Sequence, residues 1–553
     1  MSDQDMIQEL VRKRSGMDTE YNQWEPHFRE LRDAIQPTRG RFTLGENRKS
    51  STLNKRIIDS AGQKGLRTLK AGLMAGMTSP SRPWFKLGLQ DDIDVNDPEI
   101  KTFLHETEKK MYRILRASNI YETLSNCYGD LGLYGTFGGL ITSNFQNVIH
   151  SHAFPFGLFR IAENSMGRID TLHWDVRMTV KQCVDQFGLN NCSRQVQNRY
   201  KKNDLHTWVD VQAAVEVRAD RDKNSPLAKD MPVGIYYWER SRKDGFLMKG
   251  GMSYNGILAP RWERIEGEPW STSSPAQIAL GDCVQLQVQH RDKAMAIQTS
   301  YAPPVQAPAG YTKKFKSAPR SVNTISTTDI QKGGLRPVYE ARPDISHLMH
   351  DINETRQRIS ESFYADLFRM ASMHGVDGVK NVTATAIAEM HDEKLIALGP
   401  VLESLDHQLL TPIIEATFHF MQEAEILPEV PEVLENVSIK VEFISLLAQA
   451  QKAVGLASIE RTIGFVGTVA QMRPEILDKI DVDATMDEFA AQVGPPPNMI
   501  VATKEADKVR QARAEQQQQQ QMLEHAQPMA HAASLISEAS ARGEEGLNES
   551  DVF

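Results

Sequence analysis

Asp344 to Met370 constrains the fold more than any other stretch. Its apolar residues Ile345, Leu348, Met349, Ile352, Ile359, Phe363 and Leu367 recur at helical spacing with charged residues between them. The pattern predicts one long amphipathic helix with Asp344 as its N-cap. Such a helix cannot bury its own stripe, so other parts of the chain must cover it. Upstream, Gln277 to Thr299 gives conflicting signals: Val284, Leu286 and Val288 alternate with glutamines as in a strand, whereas the length and the continuation HRDKAMAIQ favour a helix. Periodicity alone leaves both open.

Between these segments, Tyr301 to Tyr339 is rich in Pro, Gly, Ser and Thr and too long for a plain loop, which predicts a small module of its own. Lys313, Lys314, Lys316, Arg320, Lys332 and Arg336 gather there against only Asp329 and Glu340. A solvated loop and an interaction tip for acidic protein or DNA both fit that charge. Downstream, Ala371 to Val382 interrupts the helix with Gly375 and Gly378. Helix resumes near Thr383, bent or broken by Pro400 and Pro412. The C-terminal stretch carries six consecutive glutamines, Gln516 to Gln521, in a polar context that predicts an exposed helix or disorder.

The N-terminal half alternates between classes. Trp24, Phe28, Leu31 and Ile35 predict a helix over Met17 to Ile35, ended by Pro37. A second helix is expected from about Arg56 to Met77. It ends on small residues, Ala71, Gly72, Ala75 and Gly76, followed by the turn Thr78-Ser79-Pro80-Ser81-Arg82-Pro83. With Arg67, Lys70 and Arg82 nearby, the Gly72 to Gly76 spacing predicts close packing in water and not a membrane dimer. Trp84 and Phe85 then open a short strand with Phe85, Leu87 and Leu89 on one side, anchored by a large buried aromatic area. A helix over Pro98 to Ala117 and an α+β interval from His150 to about Arg261 follow, with GRIDTLHW and PVGIYYWER reading as strands.

The 553 residues suffice for about three or four domains, or one elongated body. Four scattered cysteines form neither a disulfide framework nor a zinc spacing, which suits a reducing cytoplasm. No signal peptide or bilayer-spanning run is present, so neither secretion nor a membrane is expected. Net charge is -9, from 72 acidic and 63 basic residues, so any DNA contact should be local and loose.

Catalytic chemistry finds little support. There is no G-x-x-x-x-G-K-[ST] phosphate loop and no G-x-S-x-G elbow. Gly132, Gly135, Gly138 and Gly139 have the wrong spacing for a dinucleotide loop, and tight packing explains them better. Asp478, Asp481, Asp483 and Asp487 read as caps and turns, and His150 with His152 lacks a third metal ligand in view. The expectation is a chain without catalytic residues, metal or cofactor.

Several segments, in order, carry a resemblance. AGLMAGMTSPSRPWFKL (Ala71 to Leu87), GRIDTLHWDVRMTVKQCVDQFG (Gly167 to Gly188), RWERIEGEPW (Arg261 to Trp270), ATAIAEMHDEKLIALGPVLESLDHQLLTPII (Ala384 to Ile414), LLAQAQKA (Leu446 to Ala453) and RPEILDKIDVD (Arg473 to Asp483) resemble the head-to-tail connector, or portal, proteins of short-tailed, T7-like bacteriophages. Trp270-Ser271 departs from the usual Tyr-Gly, Leu446-Leu447 replaces a small or Pro residue, and Pro495 to Pro497 lengthens a turn.

The resemblance implies a mainly α subunit with α+β parts that assembles into a ring of twelve around a channel for double-stranded DNA. It implies a wing over residues 1–276, stem helices over 277–299 and 343–370, and a clip over 300–342 between them. A tunnel loop would follow at 371–382, a long kinked helix and C-terminal wing part at 383–454, crown helices at 455–521 and a disordered polar tail at 522–553. Lys313, Lys314, Lys316 and Arg320 would dock terminase and later the tail adaptor or nozzle proteins, while His374, Gly375, Gly378 and Lys380 would face passing DNA. Gly72, Gly76, Trp84, Phe85, Pro400 and Pro412 would be structural. Major capsid, scaffolding and internal core proteins complete the implied partners, in the host cytoplasm during assembly and at the capsid vertex afterwards. A terminase-like packaging enzyme or a non-channel scaffold would share this setting; the first requires a phosphate loop or metal carboxylates, and the second need not close into a ring.

Overall fold

A reciprocal capping box opens the first helix, α1, Asp3–Ala34: the Ser2 hydroxyl accepts the Asp5 N–H and the Asp5 carboxylate accepts the Ser2 N–H, each at 3.2 Å. The helix starts well before Met17 because Ile7, Leu10, Arg14, Met17 and Tyr21 continue its buried face at steps of three and four. The computed structural model describes residues 2–46, 55, 57–89, 98–218, 221–222, 225, 227–242, 244–301, 305–306, 326–331, 336–337, 345–372, 396–428, 439–444, 510 and 512–513. The chain divides into two units, Met1–Gln451 and Lys452–Phe553. In the second, residues 510, 512 and 513 are helical, and every other described residue belongs to the first.

Helix α2, Ala61–Gly76, is shorter than the Arg56 to Met77 pattern, with Met77 as its C-cap and Arg56 outside the described residues. Strand β1, Phe85–Leu89, follows the turn, and α3, Pro98–Ala117, matches its expected span. Helix α4, Ile120–Tyr134, ends at Gly135, whose φ of +76° and proximity to Ser271 both demand glycine. Then come β2, Gly139–Asn144; β3, Val148–Ala153; β4, Phe159–Glu163; and β5, Ile169–Thr179. Thr179 forms a second capping box, with Gln182, to start α5, Val180–Phe187, which stops at Gly188 with φ +82°. Helix α6, Arg194–Lys201, precedes β6, Trp208–Val217; β7, Val233–Glu239; β8, Met248–Met252; and β9, Ile257–Leu258. The strands form a five-stranded antiparallel sheet, β4-β5-β6-β7-β8, and a three-stranded one, β3-β2-β9, as the α+β reading expects.

Residues 277–299 lie in one helix, α7, Pro275–Tyr301, so the alternation of Val284, Leu286 and Val288 is helical. Strands β10, Val305–Gln306, and β11, Arg336–Pro337, pair antiparallel across the Pro/Gly-rich module, with α8, Thr327–Gln331, between them in sequence. The expected single helix over Asp344 to Met370 is two: α9, Ile345–Ser362, and α10, Ala365–Ser372. The break falls at Tyr364, with φ +52°, and Asp344 lies outside the described residues. After α11, at 396–405, a π-helical turn over Asp406–Leu410 leads into α12, Thr411–Glu423. This stretch is widened, not broken: Pro412 has no N–H to donate, and the Thr411 N–H reaches back five residues to the Asp406 carbonyl. Strand β12, Ile439–Phe443, returns to pair with β1.

Candidate functional site

Helices α7 and α9 run antiparallel: Arg358 meets Asp282 at 3.0 Å, and farther along Gln289 donates to Asp351 at 2.5 Å and to Thr355 at 3.3 Å. Ala276, Ala279, Cys283 and Leu286 of α7 and Ile352, Ile359 and Phe363 of α9 are buried. On the opposite side of α7, Val284, Val288 and Met295 share a stripe and are 42%, 46% and 56% exposed. The helix is therefore apolar on two faces, of which one is covered by the described residues and the other is exposed. The outer face of α9, by contrast, shows Asn353, Glu354, Gln357, Arg358 and Glu361.

The hairpin is locked to the segment before α2. The Asp59 carboxylate accepts from Arg356 at 2.6 Å and faces His290 at 3.0 Å. Gln287 accepts from the Ile58 and Asp59 N–H groups and donates to the Asp59 carbonyl. Partial burial works against the charge on Asp59, but hydrogen bonds from Arg356 and the Ala61 N–H overcome it and hold the carboxyl below its ordinary value. Helix α2 completes the seat. A Cβ at Gly62 would meet the Cys283 sulfur at 2.8 Å, one at Gly65 the Phe363 ring at 2.6 Å and one at Gly72 the Phe368 ring, so the glycine face admits the hairpin and α10 at backbone distance. The kink at Tyr364 lets Phe363 and Phe368 both reach that face. Gly76 is buried at the same helix's end.

Trp84 and Phe85 are buried just past the joint. The Tyr112 hydroxyl accepts both of their backbone N–H groups at 2.8 Å, Trp84 Nε1 donates to Tyr121 at 3.3 Å, and Phe443 of β12 stacks parallel to the indole. The aromatic anchor is as expected; its partner strand, over three hundred residues away in sequence, is not legible from local pattern.

A buried hub in the RWERIEGEPW segment, marked by no local pattern, sits under the π-helical turn. Arg261 is 1% exposed and donates to Glu163 at 2.9 Å, the Gly167 carbonyl at 2.7 Å and Gln408 at 3.4 Å. Ser404 donates to the Arg261 carbonyl. The Arg261 side chain thus ties the β4–β5 turn to the π turn, and its carbonyl adds α11; Pro400 lies in α11 and Pro412 at the start of α12. Burial lowers the Arg261 pKa, and Glu163 opposes that shift. Asp406 within the turn is pushed up to about 7 by burial and by Glu403. Ser271 is buried and donates its N–H to the Thr136 hydroxyl at 2.9 Å.

Lys313, Lys314, Lys316, Arg320, His374, Gly375, Gly378 and Lys380 lie outside the described residues, as do Asp478, Asp481, Asp483 and Asp487. Among the described residues, no group of three or more His, Cys, Asp or Glu is placed to hold a metal, and no helix is long and apolar enough to cross a membrane. His150 and His152 lie with ring centres 4.6 Å apart beside a cavity of about 850 Å³ that Trp174, Trp208 and Arg177 also line. Burial and then His150 lower the His152 pKa. Gly132 and Gly138 face Leu66 and Phe159 at contacts that a side chain would violate, in keeping with the packing reading.

The family model described as bacteriophage head to tail connecting protein matches residues 8–501. A probable portal protein of Bordetella phage BPP-1 is 37% identical over 520 residues, covering 94% of this chain and 93% of its own. The portal protein of Salmonella phage epsilon15 is 34% identical over 531 residues, covering 96% and 95%. Among solved structures, the neck of an empty gene transfer agent particle aligns with 77% of this chain and 93% of its own at 11% identity and a TM-score of 0.34.

Proposed function

The chain belongs to the bacteriophage head to tail connecting protein family and serves as a portal protein of the virion, and on that premise we propose how the subunit is used. Twelve copies close into a ring at one capsid vertex, around a channel through which double-stranded DNA is packaged and ejected. The match across residues 8–501 carries this reading. The uncovered stripe of Val284, Val288 and Met295 supports ring closure, since a heterologous contact repeated by rotation covers it in every subunit at once.

In this reading residues 1–276 are the wing, 277–299 and 343–370, which hold the α7–α9 hairpin, are the stem, and 383–454 are the long kinked helix and C-terminal wing part. Residues 300–342 are the clip, 371–382 the tunnel loop, 455–521 the crown and 522–553 the polar tail. Lys313, Lys314, Lys316 and Arg320 dock acidic surfaces of terminase and then of the tail adaptor or nozzle. His374 and Lys380, with Gly375 and Gly378 for freedom, make weak phosphate contacts that restrain DNA without trapping it. The subunit acts without catalysis or cofactor. It meets major capsid, scaffolding and internal core proteins through its outer parts, and assembles in the host cytoplasm.

Negative-stain microscopy of the purified full chain tests the ring: closed particles with a central hole are expected, and monomers or open filaments would refute it. In a packaging assay, replacing Lys313, Lys314, Lys316 and Arg320 with alanine should leave rings intact and abolish terminase-driven DNA uptake. Replacing Lys380 and deleting Gly375 to Gly378 should increase backslip; unchanged packaging and retention would remove the tunnel-loop role.

A further inference from the structure

Two of the four buried thiols face each other. Cys183 of α5 and Cys192, just after the single 3-10 turn at Leu189–Asn191, have sulfurs 3.9 Å apart in van der Waals contact. Cys127 and Cys283 are also free and buried, and each sits alone among other side chains: Cys127 beside the Arg39–Asp130 pair, Cys283 under Gly62. The segment joining Cys183 to Cys192 is short and turns at Gly188, whose α-carbon has open space around it. Drawing the sulfurs together to a bond length of about 2.05 Å therefore asks for a shift of roughly 2 Å in a loop with room to give.

We propose that Cys183 and Cys192 form a reversible dithiol–disulfide pair that closes when the protein leaves a reducing compartment. The proposal is independent of the portal reading, which supplies only the occasion: release of virions from the host.

The chemistry fits a small peroxide oxidant. With both sulfurs buried, at 0% and 2% exposure, a bulky disulfide such as oxidised glutathione has no direct approach. The neighbouring Cys183 thiol lowers the Cys192 pKa, although burial and Glu239 oppose it, so Cys192 gives up its proton more readily than Cys183. As a thiol Cys192 donates to the Gly188 carbonyl at 3.3 Å and weakly to the Cys183 carbonyl at 4.0 Å, contacts it gives up when its proton leaves. The Cys192 thiolate attacks one peroxide oxygen; a sulfur–oxygen bond forms, the oxygen–oxygen bond breaks and hydroxide leaves as water after protonation. Cys183 then attacks the Cys192 sulfenic acid; the sulfur–sulfur bond forms and a second water departs with the Cys183 proton. Two thiols lose two electrons and one peroxide becomes two waters.

Closure would staple α5 to the turn that leads into α6. The neighbourhood is already held in place: Asn191 donates to the Phe187 carbonyl at 2.8 Å and Gln197 to the Cys192 carbonyl at 2.9 Å. These bonds hold the backbone on either side of the pair and keep the sulfurs in register while the bond forms.

The sequence allows a clean test on the full-length protein. Asp185 lies between the two cysteines, so cleavage before aspartate separates them unless a disulfide joins the fragments. After hydrogen peroxide treatment, alkylation under denaturing conditions and this digestion, the fragments should travel as one species lighter by two hydrogens. Dithiothreitol should release them, and Cys127 and Cys283 should remain fully alkylated. Cys183→Ser should abolish the joined species and leave Cys192 oxidised to the sulfinic acid. Separate, fully alkylated fragments, or joining through Cys127, Cys283 or a second subunit, would overturn the proposal. None of those outcomes depends on whether the chain forms rings.

Discussion

The aromatic core around Trp270 and the α7–α9 hairpin solve opposite problems. In the core, Tyr134 and Phe156 stack at 3.8 Å, Phe28 meets Phe156 edge-on at 4.9 Å, and Trp270 touches Tyr21, Phe28, Phe156 and Phe159, all buried within the chain. In the hairpin a polar cluster of Gln289, Asp351 and Thr355 meets among the apolar contacts between the helices, while Val284, Val288 and Met295 face outward. The core is finished by one chain, whereas in the proposed ring the hairpin would be finished by a second copy. Stability and assembly should therefore be separable by mutation.

The largest effect belongs to the core. Trp270→Ala should cost about 3–5 kcal/mol, because truncating a buried aromatic loses its transfer energy and leaves a cavity. Denaturant unfolding should show it, with or without ring formation. Next comes assembly: Val284→Asp with Val288→Asp should abolish rings by sedimentation while the circular dichroism of the subunit is unchanged. Loss of the folded subunit in that double variant would mean the stripe is covered internally and would collapse the distinction. Gly72→Ala joins the two regions. Its new methyl meets Phe368, and overpacking of this kind costs about 1–3 kcal/mol. Gln289→Leu should be nearly neutral, within about 1 kcal/mol, since it removes a buried oxygen with no partner but also a bond to the still hydrated Asp351.

How far the sequence speaks follows the same divide. Strands β5 and β7, helix α5 with its Thr179 cap and Gly188 stop, and the Trp84–Phe85 anchor are written in local periodicity, capping and turn residues. Their physics is satisfied by near neighbours. The contacts that define the hairpin's seat are not: Asp59 to Arg356, Gly65 to Phe363, Arg261 to Gln408 and β1 to β12 join residues far apart, and no local rule selects those partners. The amphipathic stripe is helical from Ile345 to Ser362 and again from Ala365, but the stop at Tyr364 answers to α2's glycine face, which periodicity does not contain. The conflicting signals over Gln277 to Thr299 have a physical cause: Val284, Leu286 and Val288 alternate with glutamines like a strand because this helix has two apolar faces.

Asp406 gives the smallest and most discriminating test, since it lies in the π-helical turn that Arg261 ties to the core side. Burial raises its folded pKa to about 7, above the ordinary carboxylate value of 3.8. From roughly pH 4 to 7 the unfolded chain therefore ionises while the fold retains the proton. The stability that this carboxylic acid contributes is complete below the unfolded pKa and is lost as pH rises through about 7. Asp406→Asn keeps the neutral form at every pH. Its melting temperature should match the wild type near pH 4, pull ahead progressively up to about pH 7 and hold a constant lead above that. A lead that does not change with pH would mean the carboxyl is ionised in the fold, and the turn would then have to be held by a cation facing Asp406 and not by burial.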